Sequence, residues 1–212
     1  MPLQLVIGSK RYSSWSLRPW LALKVARIPF KEVLVPLRQP STAAALARRS
    51  PSKKVPVLVA GELRIWESLA ILEYLADRYP AKGLWPKGRE ARAVARAVAS
   101  EMHAGFGQLR ANMPMDIGKH HPGQGRTPGV DADIARIDAQ WRDCRKRFGK
   151  GGPFLFGAFG NADAMFAPVV SRFTTYEVKL SKAAQDYCDA INALPAMQAW
   201  AEAASHEPEV AE

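Results

Sequence analysis

Residues 53–80 read KKVPVLVAGELRIWESLAILEYLADRYP, and the reading of this stretch decides the fold. Val55 to Val59 and Leu63 to Trp66 are short apolar, partly β-branched runs on either side of Ala60-Gly61-Glu62. Runs of that length joined by a three-residue turn containing glycine predict a hairpin of two antiparallel strands. Immediately afterwards Ser68 precedes Leu69, Ile71, Leu72 and Leu75 at helical spacing, and Tyr79-Pro80 closes the run. That predicts a helix with Ser68 as its N-cap.

Working outward toward the N-terminus, Leu3 to Ile7 is a buried-strand candidate closed by Gly8 and Ser9. Ser16 to Ala26 places Leu17, Trp20, Leu21, Leu23 and Val25 at helical spacing, with Pro19 in the first turn, where its missing N–H costs nothing. Phe30 to Val35 reads as a second strand, and Thr42 to Arg48 as a short alanine-rich helix stopped by Ser50-Pro51. The predicted order is β-α-β-α-β-β-α. Toward the C-terminus, residues 80–89 are a Pro, Gly and Lys linker, and everything beyond is helical in pattern: Glu90 to Arg110, Asp131 to Phe148, Asn161 to about Leu180, Lys182 to Asn192 and Ala196 to Ala204. Met113 to Pro128 is the longest irregular connection. The expectation is an α/β domain over residues 1–80 and an all-helical domain over residues 90–212.

The 212 residues are 48% apolar and 24% charged, an ordinary globular balance. Only Cys144 and Cys188 are present, both inside helical patterns, which excludes a disulfide framework and a cysteine-rich zinc site. His103 stands alone, and His120-His121 lie in the irregular stretch without partners at ligand spacing, so no metal is expected. The apolar run at Met1 to Gly8 is too short for a signal peptide, and no window reaches the ~18 to 20 apolar residues a spanning helix needs. The expectation is a soluble cytoplasmic protein with no membrane partner. The net charge of +10 divides as +8 over residues 1–80, +7 over 81–152 and −5 over 153–212. Such a surface attracts anions of any kind, and with no recognisable RNA or DNA motif and no run of five like charges, nucleic acid is not the expected partner.

Three motifs stand in register along the first half: Tyr12-Ser13-Ser14-Trp15-Ser16-Leu17-Arg18 between the first strand and helix, Lys54-Val55-Pro56-Val57-Leu58 before the hairpin, and Glu67-Ser68 at the next helix start. Together with the helical second half they resemble the glutathione S-transferase superfamily, in its serine-type bacterial, zeta-like and tau-like form. The resemblance implies a thioredoxin-like N-terminal domain, a helical C-terminal domain, glutathione as substrate or cofactor, a cis-proline at Pro56 and a homodimer. The Gly160-Asn161-Ala162-Asp163 run resembles the family's helix-starting capping box, with Gly160 where Ser or Thr is usual.

The site residues follow from the same resemblance. Ser13, five residues before Arg18, would donate its hydroxyl to the glutathione thiolate, helped by the N-terminus of the following helix; Ser14 and Ser16 are alternatives. Val55, extended before Pro56, would pair its backbone with the cysteinyl unit. Glu67 would take the γ-glutamyl ammonium, Ser68 the γ-glutamyl carboxylate and Lys54 the glycyl carboxylate, with Lys53, Arg38 and Gln39 competing for the last role. Trp15, Met102, Phe106, Met113 and Met115 would line the pocket for a small electrophile. The leading function is conjugation of glutathione to small hydrophobic electrophiles. The alternatives are a zeta-like, glutathione-dependent cis-trans isomerase of the maleylacetoacetate type, whose members usually carry Cys where this chain has Trp15, and a non-catalytic binding module. Disulfide reduction is disfavoured, since the loop has no cysteine. For the homodimer, Trp66 and the stripe Arg89, Arg92 and Arg96 would meet Glu73 or Asp77 of a second copy.

Overall fold

The computed structural model describes residues 2–207. Four strands, β1 (Leu3–Gly8), β2 (Phe30–Val35), β3 (Val57–Ala60) and β4 (Leu63–Trp66), form one sheet in the order β2-β1-β3-β4. β2 runs parallel to β1, from Leu3 opposite Phe30 to Gly8 opposite Val35, whereas β3 and β4 are antiparallel. Side chains alternate across a strand, so β1 serves two cores. Leu3, Leu5 and Ile7 enter the main cluster, and Val6 faces the other way onto Val35, Val57 and Leu46. Leu46 comes from α2 (Thr42–Arg49), which covers the outer face; α1 (Ser14–Val25) and α3 (Ser68–Arg78) cover the inner one. The arrangement is a thioredoxin-like half followed by a helical half.

The helical half comprises α4 (Arg89–Ala104), α5 (Gly107–Asn112), α6 (Pro128–Phe148), α7 (Asn161–Thr175), α8 (Lys182–Asn192) and α9 (Pro195–Ser205). α7 is apolar nearly all round, as a helix must be to run through a core; it packs on α1, α4 and α8. Its start fastens the two halves, because Asn161 donates its backbone N–H to Leu84 O (2.8 Å) and its side-chain amide to Leu72 O (3.0 Å). Asp163 sits fully buried in the first turn, with Oδ2 accepting from Gly160 N (2.8 Å) and Oδ1 from Leu155 N (3.1 Å). Glycine has no side chain to return the bond, so half of the capping box is present and Asp163 holds the helix start alone.

Several expectations need correction. The helix expected over Glu90 to Arg110 breaks at Gly105 and Phe106, the latter at φ +59°, and a Cβ on Gly105 would lie 2.8 Å from Glu101 O. The helix from Asn161 stops at Thr175 instead of near Leu180, in a Schellman turn: Glu177 takes φ +50° and Val178 N bonds Phe173 O at 3.0 Å. Strand β3 begins at Val57, since Pro56 has no N–H for the ladder. Ser68 is the first helical residue of α3, and Glu67 holds the N-cap position. Arg96 makes a bidentate pair with Glu73 of its own chain (2.9 and 3.1 Å), so that carboxylate is already engaged without a second copy. Among the described residues no helix is long and apolar enough to cross a membrane.

Candidate active site

Two turns and one helix start converge beside the sheet. The Val55-Pro56 peptide bond is cis, and Lys54 enters it from a turn in which Ser50 Oγ accepts from Lys54 N (3.1 Å). Glu67 takes φ +67° at the end of β4, which turns the chain so that α3 starts at Ser68 on the same cleft, with the N–H groups of its first turn unpaired within the helix. Trp15 approaches from the first turn of α1. Together Trp15, Ser52, Lys54, Val55, Pro56, Glu67 and Ser68 line a cleft of about 150 Å³. Three sequence-predicted segments, some fifty residues apart at the extremes, thus meet at one place. Ser52, two residues before Lys54, has no sequence signal beyond its place in that turn. Lys53, Arg38 and Gln39 are not on the lining, and Lys54 is.

Ser13 stands at the N-cap of α1, 5% exposed, donating to Ser16 Oγ (2.7 Å) and accepting a long bond from Ser16 N (3.4 Å). Ser16 is fully buried and its Oγ also accepts from Gly8 N (3.0 Å), which locks it into the scaffold. Ser13 and Ser14 precede Trp15 directly and lie outside the cleft lining. A hydroxyl rotates freely about its C–O bond, so Ser13 can redirect its proton from Ser16 to a ligand anion.

Trp15 is the hub of a charged cluster that the sequence did not disclose. Arg18 Cζ lies 4.1 Å and Arg110 Cζ 5.6 Å from its ring centroid, and His103 meets its edge at 5.2 Å. Arg18 is fully buried, donates Nε–H to Met165 O across the two halves (3.1 Å), and has one guanidinium nitrogen, Nη1, with no hydrogen-bond partner among the described residues. Burial, with Arg172 and Arg110 nearby, pulls Arg18 below the usual arginine range. His103 Nε2 lies 3.6 Å from Glu67 Oε2. Burial and then the charge of Arg18 lower the His103 pKa below the usual histidine value, against the opposing pull of Glu67.

The apolar pocket expected from Met102, Phe106, Met113 and Met115 does not form around the cleft. Met102 and Met113 are 0% exposed, Phe106 and Met115 7% and 3%, and all four pack in the main core; of the set only Trp15 lines the cleft. Helical spacing of methionine and aromatic residues describes a buried face, whichever element it faces. His120 pairs with Glu177 (2.6 Å) and His121 lies 3.7 Å from Asp116, both remote from the cleft lining. Cys144 and Cys188 are free and buried, their thiols pushed up to about 12 by desolvation, which makes them poor nucleophiles.

Comparison with known proteins gives a consistent result. The family model "Glutathione S-transferase, N-terminal domain" matches residues 12–78, and "Glutathione S-transferase, C-terminal domain" matches residues 127–203. A probable maleylacetoacetate isomerase of Vibrio cholerae is 33% identical over 108 residues, 48% of this chain and 50% of that protein. Glutathione S-transferase theta-1 of Mus musculus is 30% identical over 147 residues, 65% of this chain and 60% of that protein. The chain thus spans about half the length of the curated relatives it matches. Among solved structures, a glutathione transferase homolog from Burkholderia with bound glutathione superposes with a TM-score of 0.74 at 21% identity, covering 98% of this chain and 100% of that one. The holo structure of a maleyl pyruvate isomerase, described as a bacterial zeta-class glutathione S-transferase, superposes at 0.73 with 22% identity and the same coverage.

Proposed function

The chain belongs to the glutathione S-transferase superfamily, and from that premise we propose that it binds glutathione in the cleft beside Val55-Pro56 and uses the thiolate on a small electrophile. One observation carries the reading: Lys54, the cis Val55-Pro56 edge and Glu67-Ser68 line a single cleft, which offers a cation, a backbone edge and a carboxylate beside a helix start. Lys54 supplies a cation for the glycyl carboxylate. Val55 offers backbone groups to the cysteinyl unit as one strand offers them to another. Ser68, with the free N–H groups of the α3 start, receives the γ-glutamyl carboxylate, and Glu67 its ammonium.

Glutathione supplies the nucleophile, a thiol whose free pKa is about 8.5 and which must ionise near pH 7. Ser13 donates its hydroxyl to the thiolate, and the N-terminus of α1 adds the positive end of its dipole. The thiolate sulfur forms a bond to the electrophilic carbon, a leaving group such as a halide departs with its electron pair, and the thiol proton passes to solvent. Trp15 forms one wall of the space open to the electrophile. The isomerase reading has its own support in the Ser13-Ser14-x-Ser16 run and the relatives named as maleylacetoacetate isomerases. There glutathione acts as cofactor and is returned unchanged, and the electrophile is a conjugated cis double bond.

Retention on immobilised glutathione, followed by assays with an aryl halide and a cis-trans isomerisation substrate, tests the proposal. Conjugation supports the transferase and isomerisation the alternative; no retention contradicts both and is the outcome a non-catalytic binding module gives. Glu67→Gln and Ser68→Ala are expected to raise KM for glutathione about tenfold with kcat within about twofold, because both act on ground state and transition state alike. A fall in kcat at unchanged KM contradicts those assignments.

The division into domains at residues 80–89, a cytoplasmic location and a homodimer belong to the same proposal. With Glu73 engaged by Arg96, the residue we assign to dimerisation is Trp66, 44% exposed on the edge strand β4. Sedimentation is expected to give twice the 23.3 kDa chain mass at low and high salt alike, and Trp66→Glu to give the monomer. A wild-type monomer at micromolar concentration contradicts it.

A further inference from the structure

The turn that presents Ser13 is held from the far end of the chain. Residues 9–13 fold back so that Ser9 O accepts from Tyr12 N (3.2 Å) and Ser13 N (2.8 Å). The backbone groups of Lys10 and Arg11, on the outside of this turn, bond to the helical half. Glu207, just beyond α9, accepts Lys10 N at Oε1 (2.8 Å) and Arg11 N at Oε2 (3.1 Å). Trp200 on α9 donates its indole N–H to Lys10 O (2.9 Å), and Ile117 donates its backbone N–H to Arg11 O (3.2 Å). Asp116, next to Ile117, takes the Arg11 guanidinium at 2.7 Å. All four backbone polar groups of the two residues are therefore met by residues more than 100 positions away in sequence.

A carboxylate that accepts two adjacent N–H groups makes charge-assisted bonds, roughly twice as strong as neutral ones. It also fixes the orientation of both peptide planes, which a single bond leaves free to rotate. Displacement of a catalytic group by about 1 Å can cost on the order of a hundredfold in rate. We infer that Glu207 is a positioning residue: its carboxylate, with the Trp200 indole, sets the turn at Lys10 and Arg11 and through it the place of the Ser13 hydroxyl. This rests on the reading of Ser13 as the thiolate donor. Glu207 is not on the lining of the glutathione cleft, so its effect should appear in the chemistry at sulfur and leave glutathione affinity alone.

The test is Glu207→Gln, which keeps the shape but turns an amide NH2 toward one of the two N–H groups, with Glu207→Asp as a second variant that keeps the charge but is one CH2 too short to reach them in place. Amide hydrogen exchange at Lys10 and Arg11 is expected to quicken in both. The kcat is expected to fall about tenfold, with KM for glutathione within about twofold, and the thiol of bound glutathione to titrate at higher pH. Unchanged exchange at Lys10 and Arg11 overturns the inference, as does faster exchange with kcat and the thiol titration unmoved, since the contact is then structural only. A wild-type protein that depresses the glutathione thiol while Glu207→Gln depresses it equally overturns this inference alone. A wild type that does not bind glutathione overturns the functional reading with it.

Discussion

Replacing Ser13 with alanine is expected to lower kcat by about 10- to 100-fold, because a hydrogen bond to a charged group contributes roughly 1.5 to 3 kcal/mol. Ser13 Oγ donates to Ser16 Oγ at 2.7 Å, and the proposed role requires it to turn to the thiolate instead. The alanine variant should also raise the pKa of the bound thiol, since the lost donor favoured the anion. Ser13 has a second role as N-cap of α1, and its loss costs about 1 kcal/mol of stability. The two effects separate cleanly, because the catalytic one appears as a shift of the pH-rate profile at saturating glutathione and the capping one as a lowered melting temperature. Ser14→Ala is expected to do less on both counts. A Ser13→Ala variant with wild-type kcat and an unshifted thiol titration contradicts the donor assignment.

Asp163→Ala carries the largest expected effect on stability. Its carboxylate is the acceptor for Leu155 N and Gly160 N, and removing it orphans two backbone donors at the start of the most buried helix. At about 1 to 3 kcal/mol for each unsatisfied group, the loss is about 3 kcal/mol or more, roughly 6 to 12 °C in Tm for a chain of this size. Desolvation raises the Asp163 pKa to about 6, against the lowering pull of those same N–H groups. Since the folded value lies above the unfolded one, about 3.9, this group's contribution is complete below about pH 4 and is lost as pH rises through about 6. The gap between wild type and Asp163→Ala should therefore be wider at pH 5 than at pH 8. Thermal melts at the two pH values decide it; equal Tm values for the two proteins contradict the capping role.

The parts of the fold legible in sequence were those written locally. The Ala60-Gly61-Glu62 turn, the Pro56 edge and the Glu67-Ser68 helix start are set by residues within a few positions of each other, and all three lie in the structure within two residues of where the sequence pattern puts them. The break at Gly105-Phe106 was hidden because the flanking residues favour a helix, and one glycine inside a helical pattern is often tolerated. Periodicity at Met102, Phe106 and Met113 reports a buried face without saying what buries it, and in the fold that is the main core. The contacts that shape the site most, Arg18 to Met165 O, His103 to Glu67 and Glu207 to the Lys10-Arg11 turn, span 36 to 197 positions. Nothing in the neighbourhood of either partner encodes them. They follow from how α1, α4, α7 and α9 pack, and so become visible only once the chain is folded.

The most direct test of the account is a thiolate absorbance titration of glutathione bound to the wild-type protein, run against free glutathione under the same conditions. The account predicts saturable binding and a bound-thiol pKa at least about one unit below the free value of about 8.5. Saturable binding with an unshifted thiol, or no binding at all, contradicts it.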